Sequence, residues 1–415
     1  MENINLSVFA LLEAILLVIF TVRPFSITLI YLLGRFMKSL YSALLCALLL
    51  FPFADTSALP RFALWKGSKC IDCHMNPTGG EMRNSRGWSF SRNVLPMMTT
   101  DKDFEMSNKL NENIQFGFDF RGNYLVKTDS SSTKSDFQRM QGAIYTNVQL
   151  SELIDVYAKY DFIWGIWEAY GVARVLSNGS YIKGGSFVPN FGIRTDDHTA
   201  YTRGGDMGIV TPAGTNANRG LIYDPQYVES GVEAGLFIND FTLLTASVGN
   251  SRSPQVFTSD PTYTASLRFD PGIGDDAGLF FGGSFAAYKT KRLNSQFQAI
   301  NPNVNMYGGF AGFGTGGFTV MGEYDIADGL TDDGIKTSVL MIEGTYLIVK
   351  GLNAVLRYDR YDTNIETSDD EFSRVVVGFE IFPFSFMEIR PQFRIQSEKP
   401  EVDNNTLLVQ FHLFY

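Results

Sequence analysis

The hydrophobic positions of this 415-residue chain fall into two regimes. Residues 1–58 carry the long apolar runs. From about residue 112 these give way to alternation, as in Ile114-Gln115-Phe116-Gly117-Phe118-Asp119-Phe120, where every second residue is apolar. A period of two is that of a β-strand, whose successive side chains point to opposite faces. The pattern predicts strands near 113–126, 137–150, 154–163, 167–176, 180–188, 225–237, 240–249 and 261–270. Eight more follow near 276–288, 304–313, 316–326, 335–347, 351–361, 371–382, 384–397 and 405–415. An even count of about sixteen, with strands of about ten residues, suits tilted crossings of a bilayer.

The connections alternate in length. Ser177-Asn178-Gly179, Asn239-Asp240, Thr315-Gly316, Lys350-Gly351 and Pro383-Phe384 read as tight turns, whereas 128–136, 189–224, 289–303, 327–334 and 362–370 are long. Bacterial outer-membrane barrels have short periplasmic turns and long extracellular loops. The expected fold is therefore all-β, a transmembrane antiparallel barrel in outer-membrane lipid, with the segment before it starting on the periplasmic side. Trp164, Trp167, Tyr170, Tyr346, Phe382 and Phe384 fall at predicted strand ends, where an aromatic girdle meets the lipid interface. The C-terminal run Leu407 to Tyr415, apolar at alternate positions with an aromatic end, is similar to the closing strand of such barrels. A soluble β-sandwich also has many short strands, but it calls for neither the girdle nor the alternating loop lengths.

Composition agrees: 39 Gly, 35 Phe and 19 Tyr against 3 Cys and 3 His suit twisted strands with aromatic faces. A net charge of -10 argues against nucleic acid as a partner. Within the leader, Met37-Lys38 opens a compact secretory signal, with an apolar core from Leu40 to Phe53 and small residues ending at Thr56-Ser57-Ala58. Cleavage is expected near Ala58, with Met37 as the expected true start. The organisation expected is thus a leader over 1–58, a short segment over 59–111 and the barrel over 112–415.

With the leader removed, two cysteines remain, both in Cys70-Ile71-Asp72-Cys73-His74. This spacing reads as c-type haem attachment. Two thiols three positions apart meet the two vinyl groups of one porphyrin, and the next imidazole turns onto its iron. A structural disulfide and a thioredoxin-like pair are the alternatives, but no βαβ pattern surrounds the site and the histidine follows at once. Such maturation takes place after export, so leader and motif agree independently. A segment this short usually needs a cofactor to close a core, and Phe62, Trp65, Trp88 and Phe90 are its candidate porphyrin walls.

His/Met and His/His iron pairs both occur, which makes Met82, Met97, Met98 and Met106 and the histidines His198 and His412 the candidate sixth ligands. Met97 and Met98 are the first choice, since enough chain separates them from His74 to return over the other ring face. His198 lies in the longest loop with Arg194, Asp196, Asp197, Arg203 and Asp206. An exposed outer loop is the ordinary expectation there. In sixteen-stranded porins the loop at that position commonly folds inward, and His198 is then the alternative ligand. His412 faces the lumen by the alternation of its strand. Acidic residues gather in predicted outer loops, Asp328, Asp332, Asp333, Asp362, Glu366, Asp369, Asp370 and Glu371 among them, where they concentrate cations such as Fe²⁺ or simply solvate the loops.

A single-haem segment joined to a porin-sized barrel resembles the fused outer-membrane cytochrome-porins, best known as iron(II) oxidases. The resemblance rests on Cys70-Ile71-Asp72-Cys73-His74, Pro77, Gly87-Trp88-Ser89-Phe90 and Tyr415. It implies one covalent haem c and outer-sphere electron transfer between an extracellular donor or acceptor, Fe(II) among them, and a periplasmic electron-carrier cytochrome. Asn76 to Asn84 departs from the iron oxidases, which leaves the electron donor open. Two other function classes compete: a transport channel with a haem-bearing plug, and a haem enzyme acting on peroxide or another small molecule at an open sixth position.

Overall fold

In the computed structural model the described residues are 60–415, except 66–67, 81, 100–106, 129–132, 196, 207–219, 222, 225–226, 252–259, 272, 274–276, 290–291, 294–298, 301–302, 332–333 and 400–403. The expected leader and its cleavage site lie outside them. Sixteen described strands form one closed antiparallel barrel. In chain order they are β1 (Ile114–Thr128), β2 (Thr133–Gln149), β3 (Ile154–Asp161), β4 (Ile166–Arg174), β5 (Tyr181–Phe187), β6 (Glu229–Asn239), β7 (Thr242–Ser251) and β8 (Thr262–Phe269). Then come β9 (Ala277–Lys289), β10 (Asn303–Thr315), β11 (Phe318–Asp328), β12 (Lys336–Val349), β13 (Leu352–Asp362), β14 (Glu371–Ile381), β15 (Met387–Glu398) and β16 (Thr406–Phe414). Each pairs with the next, and β1 closes on β16 in a register running from Asp119 opposite Phe414 to Lys127 opposite Thr406. Closure leaves no unpaired sheet edge, as a barrel in lipid requires.

The two faces of the wall invert the arrangement of a soluble protein. On β13, Asn353, Arg357, Asp359 and Tyr361 are buried toward the lumen while Leu356 faces out. On β11, Thr319, Glu323 and Asp325 point inward and Val320 and Tyr324 outward. An exposed apolar outer face around a polar lumen is the signature of a lipid-embedded barrel. Of the expected girdle, Trp164, Trp167, Tyr346 and Phe384 are exposed on the outside. Tyr170 and Phe382 are not: both are buried inside, Tyr170 against Tyr157 and Phe382 against Phe62. Phe382 does follow a strand end, but Tyr170 sits in the middle of β4, and both rings turn inward.

Connection lengths follow the expected alternation with three departures, one of them the seven-residue β8–β9 connection, 270–276, at the short-turn end. β1 and β2 continue pairing to Thr128 opposite Thr133, so the polar stretch expected as a long loop is largely ladder. Backbone pairing needs no apolar alternation, which is why the pattern could not reveal it. The β3–β4 connection, 162–165, is short although it lies at the long-loop end. At the other end Gly316 and Gly317 form a two-residue turn with φ of 55° and 81°, the positive pair that a type I′ hairpin demands.

The N-terminal segment fills the short-turn end of the lumen. Helix α1 (Pro60–Trp65) inserts Leu64 against β9 and β10, where Cβ atoms added at Gly278, Gly312 and Gly314 would come within 2.5, 3.0 and 2.7 Å of Leu64 atoms. These glycines make room for the helix. Phe62, Trp65 and Phe90 pack with Phe382, Phe386 and Phe414 from the wall, and the Arg61 guanidinium bonds Glu343 (2.9 Å) and Glu380. Met97 and Met98 leave the segment along the β14–β15 turn, donating to the carbonyls of Phe382 (2.8 Å) and Pro383 (3.2 Å).

Candidate functional site

The motif forms one helical turn, α2 (Cys70–Cys73), in which the Lys69 amide donates to the Asp72 carboxylate (2.8 Å) and the His74 amide to the Cys70 carbonyl (3.0 Å). Helix α3 (Ser85–Asn93) braces it. Asn84 caps α3 by accepting from Arg86 and Gly87, and its Nδ2 donates back to the carbonyls of Ile71 (3.2 Å) and Asp72 (3.0 Å). Asn is a strong N-cap, and here it also ties two helices together. Gly87 permits their approach: a Cβ there would stand 2.2 Å from the Cys73 carbonyl oxygen. After His74 the chain doubles back through Gly79 and Gly80, at φ 90° and 133°, so that the Met75 amide donates to the Met82 carbonyl (3.1 Å).

Cys70, Cys73 and His74 all line one lumen cavity of about 100 Å³, which opens to solvent. Its walls include Tyr157 and Tyr170 from β3 and β4, Phe191 and Tyr223 from the connection between β5 and β6, and the polar side chains Lys159, Glu168, Arg194 and Arg203. Aromatic rings beside a few convergent polar groups are the usual lining of a cofactor or ligand pocket. The thiols are free. Burial pushes the Cys73 thiol up to about 11 and raises the Cys70 thiol as well, whereas a redox or nucleophilic pair has depressed thiols. Two thiols one helical turn apart, followed by an imidazole at the same cavity, fit the donor set of a c-type haem.

The residues proposed from sequence separate at this point. Met82 lines the cavity, buried against Tyr145, Tyr157 and Tyr170. Met97 and Met98 run along the short turns, Met97 against Gly351 and Met98 beside Phe384. His198 is buried in the β5–β6 connection and does not line the cavity, and Met106 lies outside the described residues. His412 faces the lumen as expected, between Glu388 (2.8 Å) and Asp119 (3.2 Å). The porphyrin walls expected in Phe62, Trp65, Trp88 and Phe90 are corrected: these rings join the aromatic cluster at the short-turn end, and barrel and loop rings line the cavity in their place. A short segment presents its apolar side to whatever surface adjoins it, and only the closed barrel supplies that surface.

The ordinary expectation for the longest loop is also overturned. Its described part folds into the lumen and is bound along nearly half the wall. Gly192 donates to Ser284 on β9 (2.9 Å), Ile193 and Arg203 to Glu323 on β11 (2.9 Å each), Asp197 accepts from Arg357 on β13 (2.6 Å), and Asp206 accepts from Arg374 on β14 (2.7 Å) and Arg394 on β15 (2.9 Å). Arg194 donates to Thr78 Oγ1 (2.9 Å), joining the loop to the hairpin that follows the cysteine motif. Asp196 lies outside the described residues.

No protein-family model matches the chain, and no curated protein sequence matches it. Solved structures do. Pseudomonas putida OprB superposes with a TM-score of 0.56 at 7% identity, covering 73% of this chain and 94% of that one. A loop-deletion variant of Vibrio cholerae OmpT gives 0.51 at 12% identity, with 73% and 99% covered, and an anion-selective porin from Comamonas acidovorans gives 0.51 at 9%, with 73% and 99%. The chain has the porin fold. At such identities the likeness concerns the barrel alone. Inside this barrel lie the cysteine-bearing segment at one end of the lumen and the bound loop across it.

Proposed function

We propose that this chain is an electron conduit of the bacterial outer membrane, a porin barrel holding one covalent haem c. The observation that carries the reading is that Cys70, Cys73 and His74 share one aromatic-lined cavity inside the lumen. Cys70 and Cys73 would hold the haem and His74 would ligate its iron, and the bound group would supply a one-electron Fe(III)/Fe(II) couple. The chain's own residues do the rest. Asn84 and Gly87 fix the motif turn, Arg194 and Thr78 hold the following hairpin to the loop, and the barrel carries the whole across an insulating layer. One electron enters from a reductant at the long-loop end, Fe(II) being the first candidate, and leaves to a periplasmic carrier cytochrome at the short-turn end. No proton moves and no bond changes.

The channel reading draws on the porin neighbours, one of which is an anion-selective porin. Against it stands the lumen, where Arg357 and Asp359 are 1% and 0% exposed and the loop is bound on several strands. A conducting pore keeps such groups in water.

Anaerobic stopped-flow mixing of the purified, oxidised protein with Fe²⁺ tests the proposal. It expects covalent haem, saturable growth of the reduced α-band, and loss of both in Cys70→Ala/Cys73→Ala. Protein that carries no covalent haem and conducts steadily in planar bilayers would establish the channel in its place.

A further inference from the structure

The haem-motif segment occupies the short-turn end of a barrel whose apolar band is about 25 Å tall, so the long-loop half must be crossed by protein alone. That half is filled by buried rings. Phe191 and Tyr223 line the cavity and stack with centroids 4.9 Å apart at 25°. Leu221, packed in the same cluster, donates its amide to the Tyr201 carbonyl (3.0 Å). Tyr201 lies 6.0 Å from Tyr361, near the end of β13. Tyr361 lies 6.3 Å from its cross-strand partner Phe372, at the start of β14 beside the 363–370 loop.

We propose that this series, the buried Phe191, Tyr223, Leu221, Tyr201 and Tyr361 and the half-buried Phe372, is the electron path between the cavity and the long-loop rim; it rests on the conduit reading above. Tunnelling amplitude decays with distance, and decays faster across gaps and water than across packed π-systems. The series supplies ring-to-ring steps with one aliphatic bridge, and it excludes water. The Arg374 guanidinium sits 4.5 Å from the centre of the Tyr201 ring. A cation there opposes a hole on that ring, so the ring bridges the transfer without being oxidised and its hydroxyl is dispensable. Each event takes one electron from a one-electron reductant at the rim, which is oxidised by one unit, and reduces ferric haem to ferrous haem.

The test uses the full haem-loaded chain in nanodiscs, with a ruthenium polypyridyl photoreductant attached at Glu366→Cys in the exposed rim loop. Flash excitation then reads the intramolecular transfer rate independently of donor binding and turnover. Covalent haem content, visible spectrum and midpoint potential are measured on the same samples. Tyr361→Leu and Tyr201→Leu should slow transfer by about tenfold or more with all three unchanged, whereas Tyr361→Phe and Tyr201→Phe should keep the wild-type rate. Wild-type rates in leucine variants that retain haem would overturn the path and leave the conduit intact. Wild-type protein without covalent haem would overturn the conduit, and the path with it. Should the two tyrosine variants not fold, Phe372→Leu at the half-buried rim puts the same question, with slowing supporting the path and an unchanged rate overturning it.

Discussion

Arg357 of β13 donates to Asp197 of the β5–β6 loop over 2.6 Å, joining residues 160 positions apart inside the lumen. The same guanidinium reaches Asp359 (2.9 Å) and Thr199 Oγ1 (2.8 Å), so the loop is bound to the wall by a shared network of buried groups. Removing one partner of a buried pair costs about 3–5 kcal/mol, because the remaining charge is left uncompensated. Arg357→Leu should therefore release the loop. Planar-bilayer recordings should show wild type closed and the variant conducting, and a variant as silent as wild type would contradict the closure.

Acid should open the same lock. Burial by itself would raise the Asp197 carboxyl, but Arg357 and Arg390, helped by hydrogen bonds from Thr199, hold it well below the usual carboxylate range. Asp206 is lowered against its own burial by Arg374 and Arg394. A depressed folded-state value gives stability that is complete above the unfolded value of about 3.9 and is lost as pH falls through the folded values. Conductance should stay low from neutral pH down to about pH 4 and rise only below it. Opening at about pH 6.5 would point to a histidine instead.

Gly87 and Asn84 should control haem loading without touching the haem. A methyl group at residue 87 meets the Cys73 carbonyl at 2.2 Å, and overpacking of this kind costs about 1–3 kcal/mol. Asn84→Ala removes the α3 cap, worth about 1 kcal/mol, together with both bonds to α2. Both variants should fold as barrels, seen as heat-modifiable bands, and carry less covalent haem by pyridine haemochrome assay. Full haem content in both would contradict the bracing role.

Among the described residues Met82 is the methionine that shares the cavity with His74, while Met97 and Met98 lie along the turns. Met82→Ala should therefore change the visible spectrum of the ferric protein and shift its midpoint potential, since axial ligation sets both. Met97→Ala and Met98→Ala should leave both unchanged. The reverse pattern would return the sixth position to the residues that chain distance favours.

The barrel was legible because its cause is local. In Ile114 to Phe120 or Leu352 to Asp362 the alternation of apolar and polar residues records lipid on one face and lumen on the other, and the turn read at Thr315-Gly316 lies one residue from the observed Gly316-Gly317 turn. All sixteen strands overlap the segments that the period of two marks, because most of each lies between two environments that differ at every second residue; the start of β2, exposed throughout, is the part the pattern missed. Cys70, Cys73 and His74 were equally plain, since their spacing is a property of a single helical turn.

The rest depended on what met across the lumen. That Tyr170 turns inward, that Gly278, Gly312 and Gly314 make room for Leu64, that the cavity is walled by Tyr157, Phe191 and Tyr223, and that Asp197 and Asp206 bind arginines on β13 to β15 are all contacts between distant parts of the chain. The sequence by itself determined the strands, their alternation and the cysteine motif, because these are set by neighbours a few residues apart. Only the tertiary structure decided what fills the lumen, because a charged residue reads the same whether it faces water or a buried partner until the barrel closes around it.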